Sequence, residues 1–182
     1  MSRLPRYVTL IALCLMSCKP VMISRAAAFE ADRMLRHMAD GARHYFDDST
    51  HPFGGDSGPP WYRGGEPVPD EERVFPGGAS YRFETRAAPP VKAQPYTWAG
   101  PRNELERAVL EALGEPLKGD TLHWQYVYAT GPGTGADAEL TIRAVGDFGQ
   151  PDNDHTLEVR ISYDPSNHET VQSPILLAHE LE

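Results

Sequence analysis

The sequence predicts an α+β fold: a long N-terminal amphipathic helix packed on an antiparallel β-meander, with a Pro/Gly-rich loop region between them. Three observations predict it. Apolar residues recur at three- and four-residue spacing over residues 21–47. Gly and Pro supply 17 of the 50 residues from 51 to 100, without a period. Apolar and polar residues then alternate in separate runs from 121 to 177, with no βαβ pattern among them. A chain of 182 residues is long enough for one domain with a proper core.

The balance of 17 Lys and Arg against 26 Asp and Glu gives a net charge of −9. That balance argues against a nucleic-acid surface, which needs clustered basic charge. No stretch reaches the roughly 20 apolar residues of a membrane-spanning helix. Both cysteines, Cys14 and Cys18, fall within the first 18 residues. The body from residue 19 onward therefore has no thiol for a disulfide, a zinc ribbon, an iron–sulfur cluster or nucleophilic catalysis.

Residues 1–18 read as an export signal. Arg3 and Arg6 precede an uncharged run from Tyr7 to Ser17, the layout of a secretory leader. Leu15-Met16-Ser17-Cys18 resembles the lipobox of bacterial lipoproteins, in which the cysteine is lipidated and becomes the new N-terminus. Cys18 is the lipidation candidate, and the lipid would be the contact with the membrane. The same residues also fit a plain signal or an uncleaved hydrophobic anchor. Either way the expected location is extracytoplasmic, facing the periplasm or the cell surface.

Residues 19–182 are expected to form a single domain. In the first helix, 21–47, Ala31, Leu35, Met38, Ala42 and Tyr45 form the apolar stripe, widened by Met34 and Phe46. Gly41 costs about 1 kcal/mol in a helix interior, and its missing side chain permits close packing. From 51 to 100 no element of normal length fits. Yet Phe53, Trp61, Tyr62, Phe75, Tyr81, Phe83, Tyr96 and Trp98 point to an ordered excursion over the domain, with a short strand at 80–85. A second helix is expected at 104–113, capped by Asn103 with Glu106 three residues on, and stopped by Gly114 and Pro116. The strands are expected at 121–130, 139–145 and 156–163. A weaker run at 171–177, broken by Pro174, suits a sheet edge.

Several stretches carry a family resemblance. They are Met34-Leu35 through Gly41-Ala42-Arg43-His44-Tyr45-Phe46, the strand Trp124-Gln125-Tyr126-Val127-Tyr128, the turn from Thr130 to Ala136, and Arg143-Ala144-Val145-Gly146-Asp147. With the order of leader, long helix, loop region and sheet, they resemble the bacterial type IV pilin-like and pseudopilin-like proteins. The resemblance covers roughly residues 30–182 and implies a pilin-like fold. It also implies pilin-like or secretion-system subunits as partners. The leader departs from the family: Tyr7 stands where the processed Gly is usual, and Ala12 where the Glu is usual. Lys19 and Pro20 then interrupt the apolar run. A lipoprotein-like signal thus replaces the prepilin leader, and the means of polymerising looks lost.

Related pilin-like proteins often carry an acidic loop that resembles a calcium site. Here the stretch Gly146 to Asp154, with Glu158 beyond it, offers Asp152, Asp154 and Glu158 as hard oxygen ligands. EF-hand spacing is not met, and Pro151 fits an ordinary turn. Gly131 to Gly135 lies between strands and reads as a hairpin loop, not a phosphate cradle. His37 and His44 lie two helical turns apart, more typical of a solvated or packing edge than of a ligand set. No Gly-x-Ser-x-Gly elbow is present. The sequence indicates no cofactor and no enzyme.

The leading reading is a non-catalytic cell-envelope protein with a structural or interaction role. Its recognition surface would be the 51–100 region, with Trp61, Tyr62 and Tyr96 as candidate contacts. The alternatives are a minor pilin or pseudopilin of a type IV pilus or type II secretion machine, and an envelope hydrolase whose carboxylates assemble only in the fold.

Overall fold

The computed structural model describes residues 25–47, 68–117, 121–147 and 154–177. The export signal, the expected helical start at 21–24, Phe53, Trp61, Tyr62 and Asp152 lie outside the described residues.

The architecture is α+β, with one long helix across an antiparallel sheet. Helix α1 spans Arg25–Asp47. Its stripe is buried as the periodicity demands: Ala31, Leu35, Met38, Ala39, Ala42 and Phe46 are fully enclosed. The helix lies against the strands β5 (Glu139–Asp147), β6 (Asp154–Asp164) and β7 (Glu169–Gln172). With β1 (Arg82–Glu84) and β4 (Gln125–Thr130) these form a sheet ordered β1-β4-β5-β6-β7, every neighbour antiparallel. The register sets Tyr128 opposite Ile142 and Ile142 opposite Val159, so one face is a continuous apolar layer beneath α1. No helix among the described residues is long and apolar enough to cross a membrane.

Helix α2 spans Glu104–Ala112, and the Asn103 side chain accepts a hydrogen bond from the Glu106 amide. The capping box is shifted from its usual form. Glu106 reaches back to the Arg102 amide at 2.7 Å instead of the Asn103 amide, and also binds the Arg102 guanidinium. The two helices meet at Gly41. A Cβ there would stand 2.5 Å from the Leu113 carbonyl oxygen, so only glycine permits this approach.

Two expected strands differ in detail. The run 121–130 divides into β3 (Thr121–Leu122) and β4, because the chain bends at His123 and Trp124. Trp124 turns into the core, and its indole N–H donates to the Ala27 carbonyl at 2.7 Å. β3 pairs instead with β2 (Tyr96–Thr97) in a separate two-stranded ribbon. The edge run 171–177 also divides, into β7 and β8 (Leu176–Leu177), both pairing with β6 on either side of Pro174. The described part of the loop region is ordered by its aromatics. Phe75 packs on Phe46 at 4.6 Å between ring centroids, and Phe83 stacks on Tyr128 at 5.4 Å. The expected short strand is β1.

Candidate functional site

One cluster of titratable groups gathers where the start of α1 meets the β3–β4 corner. Glu30 projects from the flank of the apolar stripe and keeps only 12% of its side chain exposed. Its carboxylate accepts the His123 amide at 3.0 Å, the Tyr126 hydroxyl at 2.9 Å and the His123 Nδ1–H at 2.7 Å. In that last bond Nδ1 carries the proton, because a carboxylate oxygen accepts. Burial first, then the adjacent Glu30 carboxylate, pushes the Tyr126 phenol well above its ordinary range. Beside it the Tyr96 hydroxyl donates to the Trp124 carbonyl at 2.8 Å and meets the Thr85 hydroxyl at 2.7 Å. Arg86 covers the Tyr96 ring, 4.8 Å from its centroid. A carboxylate-oriented histidine is the pair an acid–base catalyst uses. Here its bonds join two elements that lie 93 residues apart in the chain, and sequence reading alone did not bring them together.

A second cluster closes the opposite end. The Tyr163 hydroxyl and His168 Nδ1 both meet the Asp70 carboxylate, at 3.2 and 3.0 Å, and Arg73 pairs with the same group at 2.8 Å. The His168 bond is the largest influence holding the Asp70 carboxyl below its usual range. The C-terminal end of α1 is tied down nearby. The Thr170 hydroxyl donates to Asp47 and accepts from Arg43.

The outer sheet face carries the third. Glu158, one of the calcium candidates, is 7% exposed and lies between two guanidinium groups, Arg143 at 2.5 Å and Arg160 at 2.6 Å. Its carboxylate is thus already engaged by two cations, and metal binding would have to displace them. Asp154 is the first residue of β6, directly opposite Asp147 in the register. Among the described residues no group of three or more His, Asp or Glu side chains is arranged to hold a metal ion. Burial alone would raise the Glu158 carboxyl, but the hydrogen bonds from Arg143 and Arg160 outweigh it and hold the pKa below the ordinary 4.5. A depressed carboxyl stabilises the fold above its unfolded pKa, and that contribution disappears as pH falls through the lower folded value. Denaturant titrations should therefore show stability lost below about pH 4.5. In Glu158→Gln that part of the acid slope should be missing. An unchanged slope would contradict the assignment.

His37 and His44 line a shallow groove beside α2 with Arg33, Arg36 and Asp40. His37 Nε2 lies 3.2 Å from the Gly114 carbonyl, so it serves as a helix–helix contact. Tyr96, the one binding candidate among the described residues, is half-buried, and its hydroxyl is committed to the corner described above. Comparison with protein-family models, curated proteins and solved structures finds no match.

Proposed function

We propose that the protein is a non-catalytic cell-envelope protein, its pilin-like domain tethered to the membrane by lipid on Cys18 and serving a structural or interaction role. The observation that carries the reading is the placement of α1. Its apolar stripe is consumed by its own sheet, and its other face carries Asp32, Arg33, Arg36, Asp40 and His44. A helix so arranged has no long apolar surface left for a filament core, which would have to bury those charges at several kcal/mol each. Its start at Arg25 lies seven residues beyond Cys18, so the clasped end of the helix is the end nearest the tether. The three titratable clusters support the same reading, since each joins separate parts of one fold.

A minor pilin or pseudopilin is the second reading. Phe29 favours it: this side chain is 69% exposed near the start of α1, where a neighbouring subunit would reach it.

The mass of the mature protein tests the proposal. Lipidation predicts a chain beginning at Cys18 with three acyl chains, partitioning into detergent, and Cys18→Ser should release it or stall its processing. A soluble mature chain beginning after Cys18 would rule the tether out. Cleavage after Tyr7 would promote the pseudopilin reading.

A further inference from the structure

Among the described residues the two most exposed large apolar side chains are Phe29 and Val91, at 69% and 63%. Both lie at one end of the sheet. Phe29 sits in α1 between Ala27, whose carbonyl accepts the Trp124 indole N–H, and Glu30, which binds His123 and Tyr126. Those bonds fix this part of the helix at the β3–β4 corner. Helical side chains lean back over the preceding turn, which puts the Phe29 ring toward the start of α1. Val91 opens a single 3-10 turn, Val91–Ala93, that packs beside β5. The Lys92 amide pins that turn by donating to Asp147, the last residue of β5, at 3.2 Å. Asp147 alternates with the buried Ala144 and Gly146 positions, so Val91 is held on the face of the sheet away from α1.

Isolated apolar residues on a surface carry no message by themselves. What gives these two a common meaning is where the chain leads. Cys18 lies seven residues before Arg25, the first residue of α1. Seven residues reach at most about 25 Å, so a lipid on Cys18 would hold this end of the fold nearest a bilayer. Charge adds nothing to the attraction, because Arg86, Lys92 and His123 at this end are offset by Glu30, Asp147 and Asp154. The contact has to be apolar. One aromatic ring and one valine bury too little to keep a free protein on a membrane. A short tether makes the contact intramolecular and raises its effective concentration to about the millimolar range.

We propose that Phe29 and Val91 are bilayer contacts: they enter the surface of a lipid leaflet from the two sides of the sheet and stand the sheet on end above it. The inference rests on the Cys18 tether proposed above and adds the orientation of the domain.

The test supplies the tether chemically, so that it does not depend on lipidation in the cell. Residues 18–182, the mature chain of that reading, contain one thiol, Cys18, and the described elements begin at Arg25. This chain is coupled to a maleimide-headed lipid in phosphatidylcholine vesicles whose acyl chains carry bromine, a short-range quencher of tryptophan. Phe29→Trp and Val91→Trp place reporters at exposed positions. Val171→Trp is the control: it adjoins Thr170, which binds Asp47 at the other end of α1, about 27 Å from Phe29. Relative to the unsubstituted chain, the tryptophans at 29 and 91 should shift to shorter wavelength and lose most of their added emission. The one at 171 should keep its emission, and without the coupling none of the three should change. Full emission at 29 or 91 in the coupled chain, or equal loss at 171, would overturn the proposal. So would a blue shift at 29 that grows with protein concentration in the uncoupled chain, since a second copy would then occupy this surface. The mass of the mature protein tests the native lipid separately.

Discussion

Leu35→Ala is expected to lower the free energy of unfolding by about 2–5 kcal/mol. Leu35 has no exposed surface and sits midway along the α1 stripe, in the same core cluster as Ile142, Val159 and Ile161. Its truncation forfeits the transfer free energy of the lost methyl groups and leaves a cavity the surroundings only partly refill. Neighbouring positions limit that relaxation. Gly41 already touches the Leu113 backbone, so α1 cannot settle toward α2. Arg36→Ala is the control. Its guanidinium binds Asp32 at 3.0 Å but keeps 62% of its side chain in water, so its loss should leave the unfolding free energy nearly unchanged. Urea titrations followed by far-ultraviolet circular dichroism measure both. Equal small losses at the two positions would mean that α1 is not docked on the sheet.

The legible parts of this fold were those written in a period. The spacing of Leu35, Met38 and Ala42 foretold the buried face of α1, and the alternation of Leu140, Ile142 and Ala144 foretold that of β5. Asn103 and Gly114 marked the ends of α2 because capping is a local transaction between residues a few positions apart. The break between β3 and β4 was not legible. Leu122, Trp124, Tyr126 and Tyr128 alternate without fault, and nothing near them in sequence announces that the Trp124 indole reaches the distant Ala27 carbonyl. Pro174 signalled an interrupted edge, but not that both fragments would return to β6.

The candidate sites were harder to read for the same reason. Glu30 left one trace in the sequence, a carboxylate four residues before Met34 on the apolar side of the helix. A charge there needs buried donors, and nothing local says that His123 and Tyr126 provide them. Glu158 likewise suggested hard-ligand chemistry beside an acidic loop. Its place opposite Arg143 and two residues before Arg160 makes it the centre of an ion pair instead, a contact fixed by register.

Glu30→Ala should be the most damaging polar substitution, costing about 2–4 kcal/mol. The loss is not only that of the carboxylate. The Tyr126 ring is fully buried, and without Glu30 its hydroxyl loses the acceptor at 2.9 Å. The His123 amide loses its acceptor at the same time. Leaving buried donors without partners costs more than the bonds themselves contribute. Glu30→Gln separates the effects, since its amide oxygen can still accept from one or two of the three donors, and about half the loss should return. Pairing Glu30→Ala with Tyr126→Phe tests the geometry directly. Once the hydroxyl is gone there is one fewer stranded donor, so the double mutant should be less destabilised than the sum of the singles, by about 1 kcal/mol. Strict additivity would show that Glu30 and Tyr126 do not share a hydrogen bond. The start of α1 would then be held at this corner by the His123 bonds to Glu30, by apolar packing and by the Trp124 indole.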